Sequence, residues 1–315
     1  MTTLARTLDQ PAGGAFADIQ RLLDARYLAQ SLDLHNRTRA LAFLAGQHTA
    51  TRRGRGLDFD EVRPYYAGDD VRSIDWRVTA RTGDPHTKLF KEERERPVLV
   101  AVDQRNSLFF GSRTCFKSVT AAELAATFAW ATLNNGDRLG GLIVGEQQHV
   151  ELRPIASRKA VLSFIHRLCE VNQELPNRSE RSEALSLEQQ LLTLRRITRP
   201  GTHLILISDF ADYQSDHHLP HLSHLSRHNR LTLCMVNDPL EEQAPHEGLY
   251  QFTDGHQISQ LNTGNTDTRK RYQRLYLDRL EQLQSDCLMC KAPLIKAPTT
   301  QSVRSVLQPF FGGLS

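Results

Sequence analysis

The sequence predicts an α/β protein with a mostly parallel sheet flanked by helices, preceded by an N-terminal helical and β appendage. Three observations carry that expectation. After Pro97, short apolar runs (PVLVAVD, THLILISDF, RLTLCMVND) alternate with segments of helical length and spacing. The runs are continuously apolar, as strands buried on both faces are. Two of them end in an acid, Asp103 and Asp209, and open α/β sheets hold ligands beyond the carboxyl ends of their strands.

Residues 1–14 read as a disordered tail ending in Gly13-Gly14, residues 15–96 as the appendage, and residues 97–315 as the sheet domain. Within the appendage, residues 15–48 carry helical spacing, at Phe16, Ile19, Leu22, Leu23, Arg26 and Tyr27 and then at Leu41, Phe43 and Leu44, until TRRGRG breaks it. Leu57 to Phe90 is polar, aromatic and turn-rich, which suits short strands and loops better than a helix. In the sheet domain, KSVTAAELAATFAWATLNN predicts a helix ending near Gly136. RLGGLIVG and HVELRPI predict two strands, the second at an edge. Helices follow at about 158–171 and 186–198, then a His-bearing helix at about 219–229 and a charged one at about 267–285. A short strand in LMCKAPLIK and a closing helix after Thr300 complete the set.

Composition sets bounds on function. With 39% hydrophobic and 24% charged residues the chain is ordinary for a globular protein, and a net charge of +3 makes no case for nucleic acid or a membrane surface. No apolar run approaches the roughly 20 residues of a membrane span. The start, MTTLARTLDQPAGG, lacks the apolar core of a signal peptide, and five scattered cysteines suit a reducing compartment. A cytoplasmic location is expected.

The acids at the strand ends resemble the von Willebrand factor A fold and its metal-ion-dependent adhesion site. That resemblance implies an Asp-x-Ser-x-Ser element after the first strand, a threonine from a helix loop and an aspartate after the fourth strand. Here the first element is Asp103-x-Arg105-x-Ser107 and the last is Asp209, while Ser186 in ALSLEQQLL is the nearest candidate for the middle ligand. The upstream block is more specific. GLDFDEVRPYYAGDDVRSIDWRVTARTGDPHTKLFKEERERPVLVAVD resembles the hallmark of the domain-of-unknown-function-58 family, with Arg63, Tyr65, Gly68, Asp69, Arg72, Asp75, Trp76 and Arg81 at the motif positions. The resemblance implies a cytoplasmic bacterial protein associated with a MoxR-type AAA+ ATPase.

Arg105 is the departure that matters. A hard divalent ion such as Mg²⁺ needs several oxygen ligands, and a guanidinium does not deprotonate in proteins. Arg105 could take the cation's place and fork onto Asp103 and Asp209, since planar guanidinium matches carboxylates. It could instead turn outward and leave Asp103, Ser107 and Asp209 to hold Mg²⁺, or be a solvated loop arginine. Turned outward, it could also capture an acidic residue of the ATPase.

Other motifs carry less chemistry. His217, His221, His224 and His228 share one helical face, with Pro220 expected at the helix start. A zinc site needs four converging ligands, so a solvated stripe is the expectation. Cys287 and Cys290 have redox spacing but close a helix rather than open one, and read as core cysteines. The TRRGRG run reads as a solvated connector. Arg63, Tyr65, Asp69, Arg72, Asp75, Trp76 and Arg81 suit a clamp of charge-assisted hydrogen bonds holding the leading segment to the sheet domain. No phosphate loop, serine elbow or metalloprotease helix occurs. The expected function is therefore non-enzymatic: a protein-interaction adaptor with a degenerate adhesion site. The alternative is a divalent-metal-dependent hydrolase or phosphate-binding enzyme using the Asp103/Asp209 edge.

Overall fold

In a computed structural model of the chain, residues 9–35, 62–65, 76–88, 95–146, 148–176, 185–253 and 258–312 are described. Met1–His48 with Arg96–Ser315 form one compact unit and Thr49–Glu95 a second. The first unit opens with helix α1 (Ile19–Ala29). The second contains β1 (Val62–Pro64), α2 (Trp76–Thr82) and β2 (His86–Lys88), with β1 and β2 paired antiparallel. The helix α2 replaces part of the loop-and-strand reading of that stretch.

The first unit continues with β3 (Pro97–Gln104), a 3₁₀ turn (Asn106–Leu108), α3 (Lys117–Asn134), β4 (Arg138–Gly145), β5 (His149–Ile155) and α4 (Arg158–Glu174). Then come α5 (Leu187–Ile197), β6 (His203–Ser208), α6 (Ser215–His228), β7 (Arg230–Asn237) and the short α7 (Pro239–Glu242). A hairpin of β8 (Leu249–Thr253) and β9 (Ile258–Asn262), then α8 (Thr266–Met289), β10 (Leu294–Pro298) and α9 (Val303–Phe311) close it. Gly136, at φ 74°, takes the left-handed conformation that ends α3.

Six strands form one sheet in the order β10-β7-β6-β3-β4-β5. All neighbours are parallel except β5, which runs antiparallel to β4 at the edge. Counted along the chain from the β5 edge, this is the Rossmann-type order 3-2-1-4-5-6, whose switch point falls between β3 and β6.

Strand alternation sorts the core into two layers. Val98, Val100, Val102, Ile143, Ile205, Ile207, Cys234 and Val236 pack with α1, α3, α4 and α9 on one face. Leu99, Ala101, Leu142, Leu204, Leu206, Leu233 and Met235 pack with α5, α6 and α8 on the other.

Two boundaries differ from the sequence reading. The tail expected over residues 1–14 is ordered in its described part: Ala12 is buried, the Gly14 N–H donates to Thr114 O at 3.1 Å, and the Phe116 N–H donates to Gly14 O at 3.0 Å. Helix α1, assigned to the appendage, belongs to the sheet unit. Its apolar face (Leu22, Ala25, Leu28, Ala29) lies in the sheet core, Trp130 Nε1 donates to Leu22 O at 3.2 Å, and Arg21 pairs with Glu123 of α3. A chain of buried amides extends the attachment: Ala17 N–H to Asn172 Oδ1 (2.7 Å), Asn172 Nδ2 to Gln104 Oε1 (2.8 Å), and Gln104 Nε2 to Ser118 O (3.0 Å). An apolar stripe too short to stand alone had to find a core, and the nearest was α3.

Leu28→Ala should therefore remove about 2–5 kcal/mol from the stability of the sheet unit. Urea unfolding followed by far-UV circular dichroism should show one transition at a lower midpoint. An unchanged midpoint would place α1 outside the cooperative core.

Candidate functional site

The switch point gathers the polar residues at the carboxyl ends of β3 and β6. The register pairs Val102 with Ile207, so Asp103 stands opposite Ser208, not opposite Asp209. Asp103 and Ser208 therefore lie on the face of α5 and α6, and Asp209 returns to the face of α3. Ser208 Oγ donates to Asp103 Oδ2 at 2.8 Å and accepts from the Phe210 N–H at 3.1 Å. Phe210 sits in the left-handed region (φ 50°) with its ring buried against Tyr213. For a bulky residue this conformation costs on the order of 1–2 kcal/mol. The turn it makes carries the chain from Asp209 on one face to Asp212 on the other.

Arg105 fills the Asp103 side. Its backbone N–H donates to Asp103 Oδ1 at 2.9 Å, its Nε to both carboxylate oxygens at 3.1 Å, and its Nη2 to Oδ2 at 2.8 Å. The far edge of the guanidinium donates to both oxygens of Asp212, at 3.0 and 3.2 Å, and to Leu185 O at 3.2 Å. Asp212 also accepts from the Leu187 N–H at 3.0 Å, the first residue of α5. Arg105 thus joins β3, the loop after β6 and the start of α5, and it is buried, with 8% exposure.

The expectation that Arg105 takes the cation's place holds for Asp103 and is corrected for the second acid, which is Asp212 and not Asp209. The outward-facing arginine, available to an acid from a partner, is also corrected by this burial.

Asp209 has its own cation, which the sequence reading missed. Lys117, first residue of α3, donates from Nζ to Asp209 Oδ2 and to Glu241 Oε1, both at 2.8 Å. Lys117 is buried at 2% exposure and Asp209 at 1%. A cation at a helix N-terminus opposes the helix dipole, so the two carboxylates are what make the position tenable. The only trace in the sequence is a lysine heading a helix whose remaining residues are mostly apolar or small, with Glu123 as its single acid.

Burial and charge act differently on the two acids. Burial pushes the Asp103 carboxyl up; the Arg105 guanidinium pulls it back only in part, and the nearby Asp209 charge adds to the push. Burial pushes Asp209 up as well, but Lys117 outweighs it and holds the carboxyl below its ordinary value. Asp212 is likewise held low: its burial penalty is outweighed by the Arg105 hydrogen bonds and charge. Lys117 responds reciprocally, with burial opposed and exceeded by Asp209 and Glu241.

The donor set does not fit a resident divalent ion. Asp103 and Asp209 face opposite sides of the sheet, and each is paired with an internal cation. Ser107 lies in the 3₁₀ turn with its residue exposed. Ser186 caps α5: its Oγ accepts from the Gln189 N–H at 3.2 Å and Gln189 Oε1 accepts from the Ser186 N–H at 2.8 Å, a capping box. Among the described residues no group of three His, Cys, Asp or Glu side chains is placed to hold a metal.

The remaining candidates fall as follows. Asp69, Arg72 and Asp75 lie outside the described residues, as does Gly68. Arg63 is in β1, the Tyr65 N–H donates to Pro85 O at 2.8 Å, and Arg81 is exposed in α2. Trp76 is 70% exposed.

Helix α6 starts at Ser215, so Pro220 lies inside it and His217 belongs to it. Its buried histidine is His218, stacked on Tyr213, which the stripe reading did not single out. Cys287 and Cys290 are free and buried, and burial pushes the Cys287 thiol up, as expected of core cysteines.

The sheet order, with an antiparallel third strand and acids at the switch point, defines a von Willebrand A-like α/β domain joined to a smaller second unit. Residues 61–282 match the family described as a protein of unknown function, DUF58, and the chain belongs to that family. Uncharacterized proteins of Mycobacterium bovis and Mycobacterium tuberculosis are 35% identical over 141 residues, covering 41% of this chain and 44% of theirs. The match thus spans less than half the length of these curated relatives.

Among solved structures, the conserved hypothetical protein BatB from Bacteroides thetaiotaomicron aligns at 13% identity and TM-score 0.43 over 67% of this chain and 95% of that one. An aerotolerance-related membrane protein from Bacteroides fragilis aligns at 13% and 0.41 over 68% and 98%. A von Willebrand factor type A structure from Catenulispora acidiphila aligns at 12% and 0.30 over 48% and 34%. Among the described residues of this chain, no helix is long and apolar enough to cross a membrane.

Lys117→Met should cost about 3–5 kcal/mol at neutral pH, because it strands Asp209 in the interior, and adding Asp209→Asn should restore most of the loss. Chemical denaturation of both variants checks this; equal losses in the single and double variants would show that the pair is not coupled.

The pH dependence follows from the same shifts. Asp209 and Asp212 are depressed, so their contribution is complete above the unfolded value of about 3.9 and is lost as pH falls through their folded values. Asp103 is raised, so its contribution runs the other way and is lost as pH rises through its folded value. The Lys117→Met/Asp209→Asn protein should therefore lose stability less steeply than the wild type below about pH 4. Parallel acid limbs in the two proteins would remove Asp209 from the acid response.

Proposed function

We propose that the chain is a non-enzymatic protein-interaction module that acts with a MoxR-type AAA+ ATPase through the carboxyl-end rim of its sheet, in the cytoplasm. The observation that carries this reading is the pairing of the rim carboxylates with Arg105 and Lys117. A general base or a metal-activated water needs a carboxylate with a free lone pair facing substrate, and both Asp103 and Asp209 are committed internally. What the rim offers to the outside is a preassembled polar surface: the exposed Ser107 and the outer part of Asp212, whose side chain is 40% exposed. The ATPase as partner follows from the family resemblance, and the metal-independent rim says how contact would differ from a cation-bridged one: surface complementarity replaces an ion shared between the proteins.

Co-purification with a MoxR-type ATPase of the same organism tests this. The complex should survive EDTA, millimolar Mg²⁺ should leave the melting temperature of the free protein unchanged, and Ser107→Arg should prevent co-purification without changing that temperature. A complex that dissociates in EDTA, or one that a folded Ser107→Arg protein still forms, would overturn the rim reading. Metal-dependent phosphatase or esterase activity that disappears in Asp103→Asn would favour the hydrolytic alternative.

A further inference from the structure

At the opposite end of the sheet, where β3, β4 and β6 begin, a cleft of about 560 Å³ opens between the edge strand β5 and the end of α5. Its walls include the apolar residues Leu99, Pro154 and Ile197. Around them stand Arg153, Arg196 and Arg199, all exposed, while Glu151 is the single acid lining the cleft among the described residues. Glu151 pairs with Arg196. Arg153 and Arg199 have no carboxylate partner among the described residues.

Guanidinium groups left unpaired around an apolar floor are a poor arrangement for solvent alone and a good one for a ligand that brings both carboxylates and an apolar side chain. The neighbouring strand adds a further element. β5 pairs only with β4, so among the described residues its outer backbone edge is open. An open edge can take an extended peptide by main-chain hydrogen bonding.

We infer that this cleft is a docking site for an acidic, extended peptide segment of a partner protein, which lays an apolar side chain on Leu99, Pro154 and Ile197 and sets flanking carboxylates against Arg153 and Arg199. The charge balance selects the occupant. The chain's overall charge is only +3, so the local excess of guanidinium is not a by-product of a basic protein. The floor is hydrophobic where a phosphodiester backbone would need further donors. The site is separate from the carboxyl-end rim, and its failure or success does not depend on the ATPase reading.

Fluorescence anisotropy of the full-length protein with a fluorescein-labelled peptide, Glu-Asp-Glu-Leu-Val-Glu-Asp, tests the inference, alongside a lysine-for-acid version of the peptide and a labelled oligothymidylate. The acidic peptide should bind, more weakly as salt rises, and the lysine version should not. Arg153→Glu/Arg199→Glu should weaken binding by about tenfold or more with an unchanged melting temperature, both residues being exposed. Ser107→Arg at the rim should leave peptide binding as it is. No binding by the acidic peptide, equal binding by the double variant, or tighter binding of the oligothymidylate would each overturn the assignment, the last in favour of a nucleic-acid site.

Discussion

The guanidinium of Arg105, held between Asp103 and Asp212, fixes the arrangement of everything at the switch point. It ties the end of β3 to the loop after β6 and, through Leu185 and the Asp212 contact to Leu187, to the first turn of α5. Replacing such a buried pair wholesale with apolar residues can be neutral, whereas removing one member leaves a charge stranded in the interior. The asymmetry means that the pair constrains geometry more than it adds net stability. With Arg105 in place, only one position of the loop and one position of the helix start satisfy all three partners.

Lys117 performs the equivalent task on the other face. Its ammonium closes Asp209 and Glu241 against the start of α3, so each buried rim acid is paired with a cation belonging to the chain itself. The left-handed Phe210 is the backbone cost of the design, since the chain must pass from Asp209 on one face to Asp212 on the other within a single turn.

How far the sequence revealed this can be followed residue by residue. Continuous apolar runs gave the central strands, and the alternating HVELRPI marked the edge strand, because burial on two faces or on one leaves a direct trace in composition. Asp103, Arg105 and Asp209 were all visible as strand-end residues. Their pairing was not. Aligning PVLVAVD with HLILISD by eye sets the two acids side by side, yet the register sets Asp103 beside Ser208, and a slip of one residue moves a side chain to the opposite face. Register is fixed by long-range packing, which no local pattern carries. Lys117 and Asp212 were missed for the same reason: each is unremarkable in its own segment, and only the assembled sheet brings it to its partner. Helix α1 shows the converse, since its apolar spacing was legible but the core it joins lies about a hundred residues further on, at Trp130 and Glu123.

The two ends of the sheet are joined by a single rigid element. Helix α5 begins at the Arg105–Asp212 pair and ends at Arg196 and Ile197, which line the basal cleft. At 1.5 Å per residue its span is about 16 Å, and Leu187, Leu191 and Leu194 seat it in the core along its whole length. A helix packed in this way moves as a body or not at all, because dense cores do not deform continuously. Its first turn is positioned by ion pairs and its last turn presents an arginine, so the geometry of the cleft wall formed by α5 is set at the rim. The ion pairs at the switch point therefore do more than hold the rim acids: they fix the placement of the helix whose far end shapes the other surface of the domain.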